Sequence, residues 1–149
     1  MKTGLFAVLL LGAVAVPALA AEPFRHVTPQ EAQRLTSKLV DHIGTNFLYR
    51  KDSYQQEIIY RDASGIPEVH ANWADHFVVT EGEATLIVGG TVVNERETGP
   101  GEKRGTAITG GTEYPMVPGT VITVPAGMPH WTVLKPGAHL RAAVFKLKD

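Results

Sequence analysis

The sequence predicts an all-β domain, an antiparallel β-barrel or jelly roll that follows one N-terminal helix. Short runs of β-forming residues succeed each other closely from residue 56 to residue 147, and turn residues separate them. The chain also contains 15 glycines and 10 prolines, as a fold with many tight turns requires. Its 149 residues, 44% of them hydrophobic, are enough for one domain with a sizeable core.

Residues 1–20 are predicted to be a secretory signal peptide. Lys2 precedes an apolar run from Leu5 to Val16, and Ala18-Leu19-Ala20 fits the small-x-small cleavage rule. The run is shorter than the roughly 20 residues that a membrane-spanning helix needs, which argues against an anchor. We therefore expect cleavage after Ala20 and a secreted or periplasmic product without membrane attachment.

Charge and cysteine content exclude several classes of function. The formal net charge is −1, too close to neutral to favour a polyanionic partner, so no nucleic acid is expected to bind. The chain contains no cysteine, which rules out disulfides, a thiolate nucleophile and cysteine metal ligands.

Residues 21–51 are predicted to form an N-terminal helical segment. Thr28-Pro29-Gln30-Glu31 has the pattern of a capping box with proline at the first helical position. Gly44 is the expected end of the helix, and His42 is interpreted as a partly exposed helical residue rather than a ligand. The helix would bury one apolar stripe, formed by Leu35, Leu39, Val40 and Ile43.

Residues 52–149 are assigned to the β-barrel domain. The Gly- and Glu-rich segment Glu95 to Gly111 is predicted to be a solvated loop. The alternative is a lid in which Glu102-Lys103-Arg104 reaches the barrel mouth. The predicted strands are Gln56 to Arg61, Phe77 to Thr80, Ala84 to Val88, Thr91 to Val93, Val121 to Val124, Trp131 to Leu134 and Leu140 to Leu147.

Two segments concentrate residue types that bind metals. Glu68 to Phe77 contains two histidines and two carboxylates beside predicted strands. About 50 residues later, Pro125 to His130 ends in a histidine after a Pro/Gly turn. A metal site formed by both segments is the leading hypothesis.

The spacing in these segments resembles the two motifs of the cupin superfamily. Gly119, Pro125, Gly127 and His130 fit the second motif, G-x5-P-x-G-x2-H. The first motif is usually His-x-His, three or four residues, Glu, six residues and Gly. Glu68-Val69-His70, four residues, Asp75, six residues and Gly82 fit that spacing, with Glu68 in place of the first histidine and Asp75 in place of the glutamate.

The resemblance covers about residues 52 to 147 and implies a small β-barrel that holds a divalent metal. It implies His70, Asp75 and His130 as ligands. Glu68 would be a fourth ligand or an acceptor for a histidine ring proton. The alternative interpretation is that both histidines are hydrogen-bonded polar residues of a barrel without metal.

Strand alternation gives an independent test of whether Asp75 or the adjacent His76 is the ligand. If Asp75 points into the barrel, Phe77 and Val79 point the same way, and His76 faces outward. A bulge between Ala71 and Asp75 would instead shift the register by one residue and bring His76 inward. Alternation favours Asp75 and keeps His76 as the alternative.

Two histidines and one carboxylate suit iron(II) and leave positions open for a substrate or oxygen. Manganese, zinc and nickel accept the same atoms, so the sequence does not identify the metal. Trp73 lies between the presumed ligands and is a candidate wall of the pocket, whereas Trp131 should face away from His130 and pack.

Two functions agree with these residues. One is an exported metalloenzyme of the cupin type that performs dioxygenase, isomerase or lyase chemistry on a small molecule. The other is a non-catalytic cupin that binds or senses a small molecule. Exposed strand edges and the N-terminal helix also make a homodimer an expectation.

Overall fold

Two antiparallel β-sheets enclose the core of the protein in a jelly roll that follows one short helix. The computed structural model describes residues 23–149, so the predicted signal peptide of residues 1–20 lies outside the described residues. No helix in the described range is long and apolar enough to cross a membrane.

The helix is α1 (Pro29–Leu35). The strands are β1 (Ile43–Arg50), β2 (Tyr54–Arg61), β3 (Glu68–His70), β4 (Trp73–Gly82), β5 (Ala84–Val88), β6 (Thr91–Val93), β7 (Arg96–Gly99), β8 (Glu102–Arg104), β9 (Ala107–Thr109), β10 (Thr112–Met116), β11 (Val121–Val124), β12 (His130–Val133) and β13 (Leu140–Lys148).

The sheet topology brings distant parts of the chain together. The five-stranded sheet has the order β1-β2-β13-β4-β11, and the six-stranded sheet has the order β10-β5-β12-β3-β8-β7. Strands β6 and β9 form a separate pair. As a result, β12 lies beside β3, and β13 lies beside β4. The two candidate metal-binding segments therefore meet inside the jelly roll.

Apolar side chains from both sheets fill one end of the interior. Burial of this surface is the main term that holds the sheets together. The cluster consists of Ile59, Phe77, Val79, Leu86, Met116, Val124, Leu134, Leu140, Ala142 and Val144.

The helix begins as predicted but is much shorter. The Thr28 hydroxyl accepts a hydrogen bond from the Glu31 N–H at 3.2 Å, as an N-cap does. Beyond Leu35 the prediction is wrong, because Asp41 and His42 have positive φ angles and Ile43 begins β1. Pairing of β1 with β2 over its length overrides the apolar periodicity of this stretch.

The segment Glu95 to Gly111 is not the loop that its composition predicts. It contains β7, β8 and β9, and β8 pairs with β3 so that Glu102 lies opposite His70 and Arg104 opposite Glu68. Short strands with many charged residues carry little periodic signal, and only their pairing partners define them. The segment that was predicted as a loop thus forms part of the sheet beside the first motif.

Candidate metal centre

Strand β4 presents Asp75 to the interior. Asp75 is buried together with Phe77 and Val79, as strand alternation predicts. His76 is only half-buried, and its Nδ1 lies 3.0 Å from the hydroxyl of Thr123 on β11. The pairing of β4 with β13 runs without a register shift from Val79 to Trp73, so no bulge brings His76 inward.

Four predicted site residues converge at the polar end of the interior. Asp75 Oδ2 lies 3.5 Å from His70 Nε2 and 3.7 Å from His130 Nε2. Glu68 Oε2 lies 3.8 Å from His130 Nε2, and Glu68 and His130 are direct partners across β3 and β12. Glu68, His70 and His130 each bring one ligand atom within 4.8 Å of the others, a group that could hold a metal ion.

The Nδ1 atom of each histidine, on the side of the ring away from the centre, has a partner that fixes the orientation of the ring. His70 Nδ1 lies 2.6 Å from Glu102 Oε2, and His130 Nδ1 lies 3.1 Å from the carbonyl oxygen of Met128. A carbonyl or a carboxylate can only accept, so Nδ1 is the donor in both rings. In the neutral imidazole the lone pair is then at Nε2, and both Nε2 atoms point to the centre as metal ligands do.

Two buried atoms at this centre have no hydrogen-bond partner among residues 23–149. They are His130 Nε2 and Asp75 Oδ1. Buried polar atoms are nearly always partnered, so an orphaned lone pair in each of two converging side chains needs an explanation. A cation bound by His130 Nε2 and the Asp75 carboxylate would give both atoms a partner, and nitrogen with carboxylate oxygen is a donor set that divalent first-row metals accept.

The spacing of the donor atoms agrees with this interpretation. Atoms about 2.1 Å from a shared ion stand roughly 3.0 to 3.4 Å apart. Asp75 Oδ2 is 3.5 Å from His70 Nε2 and 3.7 Å from His130 Nε2. A small inward movement of these side chains would bring them to binding distance.

Lys146, which the sequence did not single out, reaches the same centre. Its Nζ donates to Asp75 Oδ2 at 2.9 Å and lies 3.0 Å from His70 Nε2. Lys146 lies on β13 directly opposite Asp75 on β4. A lysine near the C-terminus of the chain has no motif signal, and only the strand register reveals its position.

These contacts keep Asp75 ionised. Burial would raise the pKa of Asp75, but the positive charge of Lys146, whose Nζ donates to Oδ2, opposes this and helps to hold the pKa of Asp75 well below its ordinary value. Asp75 is therefore available as a carboxylate, the form that binds cations.

Strand β8 supplies a second group of charges that the motifs do not predict. Arg104 lies 3.1 Å from Glu102 Oε2 and 3.3 Å from Glu68 Oε1, and so connects the partner of His70 to Glu68. Glu102 and Arg104 contact His70 and Glu68, but both residues belong to strand β8 rather than to the lid that was the alternative for this segment. Lys103 instead pairs with Glu95 at 2.7 Å.

The centre is closed on one side and open on the other. The side chains of His70, His130 and Asp75 are 4%, 3% and 3% exposed, whereas those of Glu68 and Glu102 are 27% and 31% exposed. Solvent therefore reaches the group through Glu68 and Glu102, on the neighbouring strands β3 and β8.

The two tryptophans differ in position. Trp131 donates from Nε1 to the carbonyl oxygen of Gly65 at 2.8 Å, which agrees with its predicted packing role. Trp73 on β4 lies opposite Lys148 on β13, two residues along each strand from the pair Asp75 and Lys146. The Lys148 Nζ is 5.9 Å from the centroid of the Trp73 ring. Trp73 therefore lies on the same face as Asp75, towards the end of β4.

Comparison with solved structures identifies the fold. The cupin domain of Cnp3 from Schizosaccharomyces pombe aligns over 75% of this chain and 69% of its own, with a TM-score of 0.54 and 14% identity. The DMSP lyase DddQ from Ruegeria pomeroyi aligns over 73% of this chain and 48% of its own, with a TM-score of 0.51 and 19% identity.

The polyketide cyclase RemF from Streptomyces resistomycificus aligns over 72% of this chain and 66% of its own, with a TM-score of 0.51 and 20% identity. No family model matches the sequence, and no curated protein is significantly similar to it. The described chain has the cupin fold, as the motif spacing predicts.

Proposed function

We propose that this chain is an exported cupin that binds a divalent metal ion and acts on a small molecule at the metal. The observation that carries the proposal is the convergence of Glu68, His70, Asp75 and His130, with unpartnered buried atoms on two of them. A fold hosts many chemistries, so the argument rests on the site and not on the fold.

Each residue of the site has a separate task in this proposal. His70, His130 and Asp75 hold the metal, and Glu68 is a fourth ligand. Glu102 and the Met128 carbonyl keep the histidine protons on Nδ1, while Arg104 orients Glu68 and Glu102. The metal, when bound, supplies Lewis acidity or oxygen activation, the basis of lyase, isomerase and dioxygenase chemistry.

The comparisons support a small molecule as substrate. Structures with this fold include a protein named as a DMSP lyase and one named as a polyketide cyclase. The partial exposure of Glu68 and Glu102 supports contact of a small molecule with the site from this side. Neither structure is similar enough in sequence to this chain to indicate the same substrate.

Metal analysis of the exported, purified protein tests the proposal. We expect about one metal ion per chain, lost in His130→Ala and retained in His139→Ala. His139 is a suitable control because it lies outside the site, with Nε2 3.2 Å from Glu81 Oε1. Background metal content in the wild type would contradict the proposal. Oxygen uptake with catechols, diacids or sugars then tests for oxygenase activity.

A non-catalytic cupin that binds or senses a small molecule is the second candidate. The contact of the Lys146 ammonium with His70 and Asp75 favours it, because a cation already neutralises the centre. Turnover of any of these substrates by the metal-loaded protein would exclude this candidate.

Export is proposed from Lys2, the apolar run and Ala18-Leu19-Ala20. Expression of the full chain in a bacterium tests it by fractionation and N-terminal sequencing. We expect a periplasmic product that begins at Ala21, and a cytoplasmic product that retains Met1 would contradict export.

A further inference from the structure

The Lys146 side chain reaches the centre of the candidate metal site. Its Nζ is 2.9 Å from Asp75 Oδ2 and 3.0 Å from His70 Nε2, and its side chain is only 15% exposed. An ammonium group has three donors and no acceptor, so it binds the same lone pairs that a metal would use. Lys146 is thus a cation held by two predicted metal ligands.

A metal ion and this ammonium cannot occupy the centre together. A metal bound through His70 Nε2 and Asp75 Oδ2 would lie about 2.1 Å from both atoms, close to the position of Lys146 Nζ. Two positive charges at such a distance repel each other strongly in a half-buried site. Metal entry therefore requires that the ammonium move away.

The structure gives the ammonium a place to go. Lysine has a flexible four-carbon stem, and Lys146 lies near the end of the last strand. On the neighbouring strand, Glu57 lies opposite Val144 and so is diagonal to Lys146 on the same face. Movement towards the Glu57 side chain would release His70 and Asp75 and bring the ammonium closer to another acidic residue.

We propose that Lys146 is a built-in cation that competes with the divalent metal for His70 and Asp75, and that metal binding expels its ammonium group from the centre. This inference rests on the metal site proposed above. It makes Lys146 a determinant of metal affinity, since each metal ion bound must displace two existing contacts of the ammonium.

Metal titration of matched variants tests the competition. Cobalt(II) binding, followed by calorimetry and by visible absorption, is compared in the wild type, Lys146→Leu and Lys148→Leu. Lys148 is the control because it lies on the same strand and face but contacts the Trp73 ring instead of the ligands. We expect Lys146→Leu to bind cobalt about tenfold more tightly or better, and Lys148→Leu to match the wild type.

Lysine labelling of the wild type tests expulsion without any variant. The protein is acetylated with and without saturating zinc, and modification of each lysine is measured by mass spectrometry. We expect zinc to increase the acetylation of Lys146 and to leave that of Lys148 unchanged.

The outcomes separate this inference from the proposed function. Equal cobalt affinity in the wild type and Lys146→Leu, or Lys146 acetylation that zinc does not alter, overturns the competition and leaves the metal site intact. Failure of the wild type and both variants to bind any metal overturns the metal site, and the inference with it.

Discussion

At the residue scale, the site depends on how each histidine presents Nε2. Glu102 determines this for His70, with Oε2 2.6 Å from Nδ1, and Arg104 holds Glu102 in turn. A carboxylate on the outer nitrogen fixes the tautomer and raises the basicity of the inner one. Glu102 therefore holds His70 in the tautomer that leaves Nε2 free for a metal, without being a ligand itself.

Replacement of Glu102 by alanine should weaken metal binding by about 10- to 100-fold, the usual effect of losing a partner of a ligating histidine. The measurement is the dissociation constant for zinc by competition with a chelator. Glu97→Ala is the control, because Glu97 is an exposed glutamate on the neighbouring strand β7. Equal losses in both variants would indicate a general charge effect instead.

Asp75 and His76 are adjacent residues with opposite orientations. Asp75→Asn should weaken zinc binding by more than about 100-fold, since it removes a ligand charge rather than a supporting partner. His76→Gln should leave binding unchanged, because His76 faces Thr123. Calorimetry on both variants checks this, and a larger loss in His76→Gln would mean that the register of β4 is different in solution.

At the scale of elements, β4 is the strand that positions the carboxylate, and a motif glycine lies at its end. Gly82 ends β4 with φ +74°, and a Cβ there would lie 2.0 Å from the carbonyl oxygen of His139. Gly119, in the turn before β11, has φ +89° and open space around the Cβ position. The two motif glycines are thus required for different reasons.

Gly82→Ala should lower the free energy of unfolding by at least about 2 kcal/mol, because it adds a clash with backbone to an unfavourable φ. Gly119→Ala should lower it by about 1 kcal/mol, the cost of the left-handed conformation alone. Urea denaturation measures both values. A cost for Gly119→Ala as large as that for Gly82→Ala would contradict the steric account.

At the scale of the whole molecule, the site joins the two sheets. His70 and His130 come from β3 and β12 of the six-stranded sheet, whereas Asp75 and Lys146 come from β4 and β13 of the five-stranded sheet. The apolar cluster holds the other end of the interior. A ligand shared across the polar end would connect the sheets only in the folded state.

Metal should therefore stabilise the folded protein. Zinc at 100 times its dissociation constant should raise the free energy of unfolding by about 2.7 kcal/mol, if unfolded chains do not bind it. Thermal unfolding with zinc and with a chelator measures this. The gain should vanish in His130→Ala and persist in His139→Ala, and equal midpoints for the loaded and chelated wild type would contradict the prediction.

Local patterns were sufficient to predict much of the fold and the four residues, Glu68, His70, Asp75 and His130, that converge at the centre. Alternation along β4 predicted the inward position of Asp75, and motif spacing predicted that His70 and His130 belong together. The end of the helix at Leu35 and the strands between Glu95 and Gly111 were not predicted. β1 pairs with the next strand, β2, and β8 pairs with the distant strand β3; in both stretches this pairing outweighs local preference.

The residue types of the centre, the β-rich class of the domain and the face on which Asp75 lies follow from the amino-acid sequence alone, because these depend on composition and on a period of two. That Lys146, Glu102 and Arg104 join them follows from the folded chain. Their neighbours are set by the register between strands far apart in the chain, and register depends on how the whole interior packs. The two motif segments supply the candidate ligands, and β13 supplies the lysine that contacts two of them.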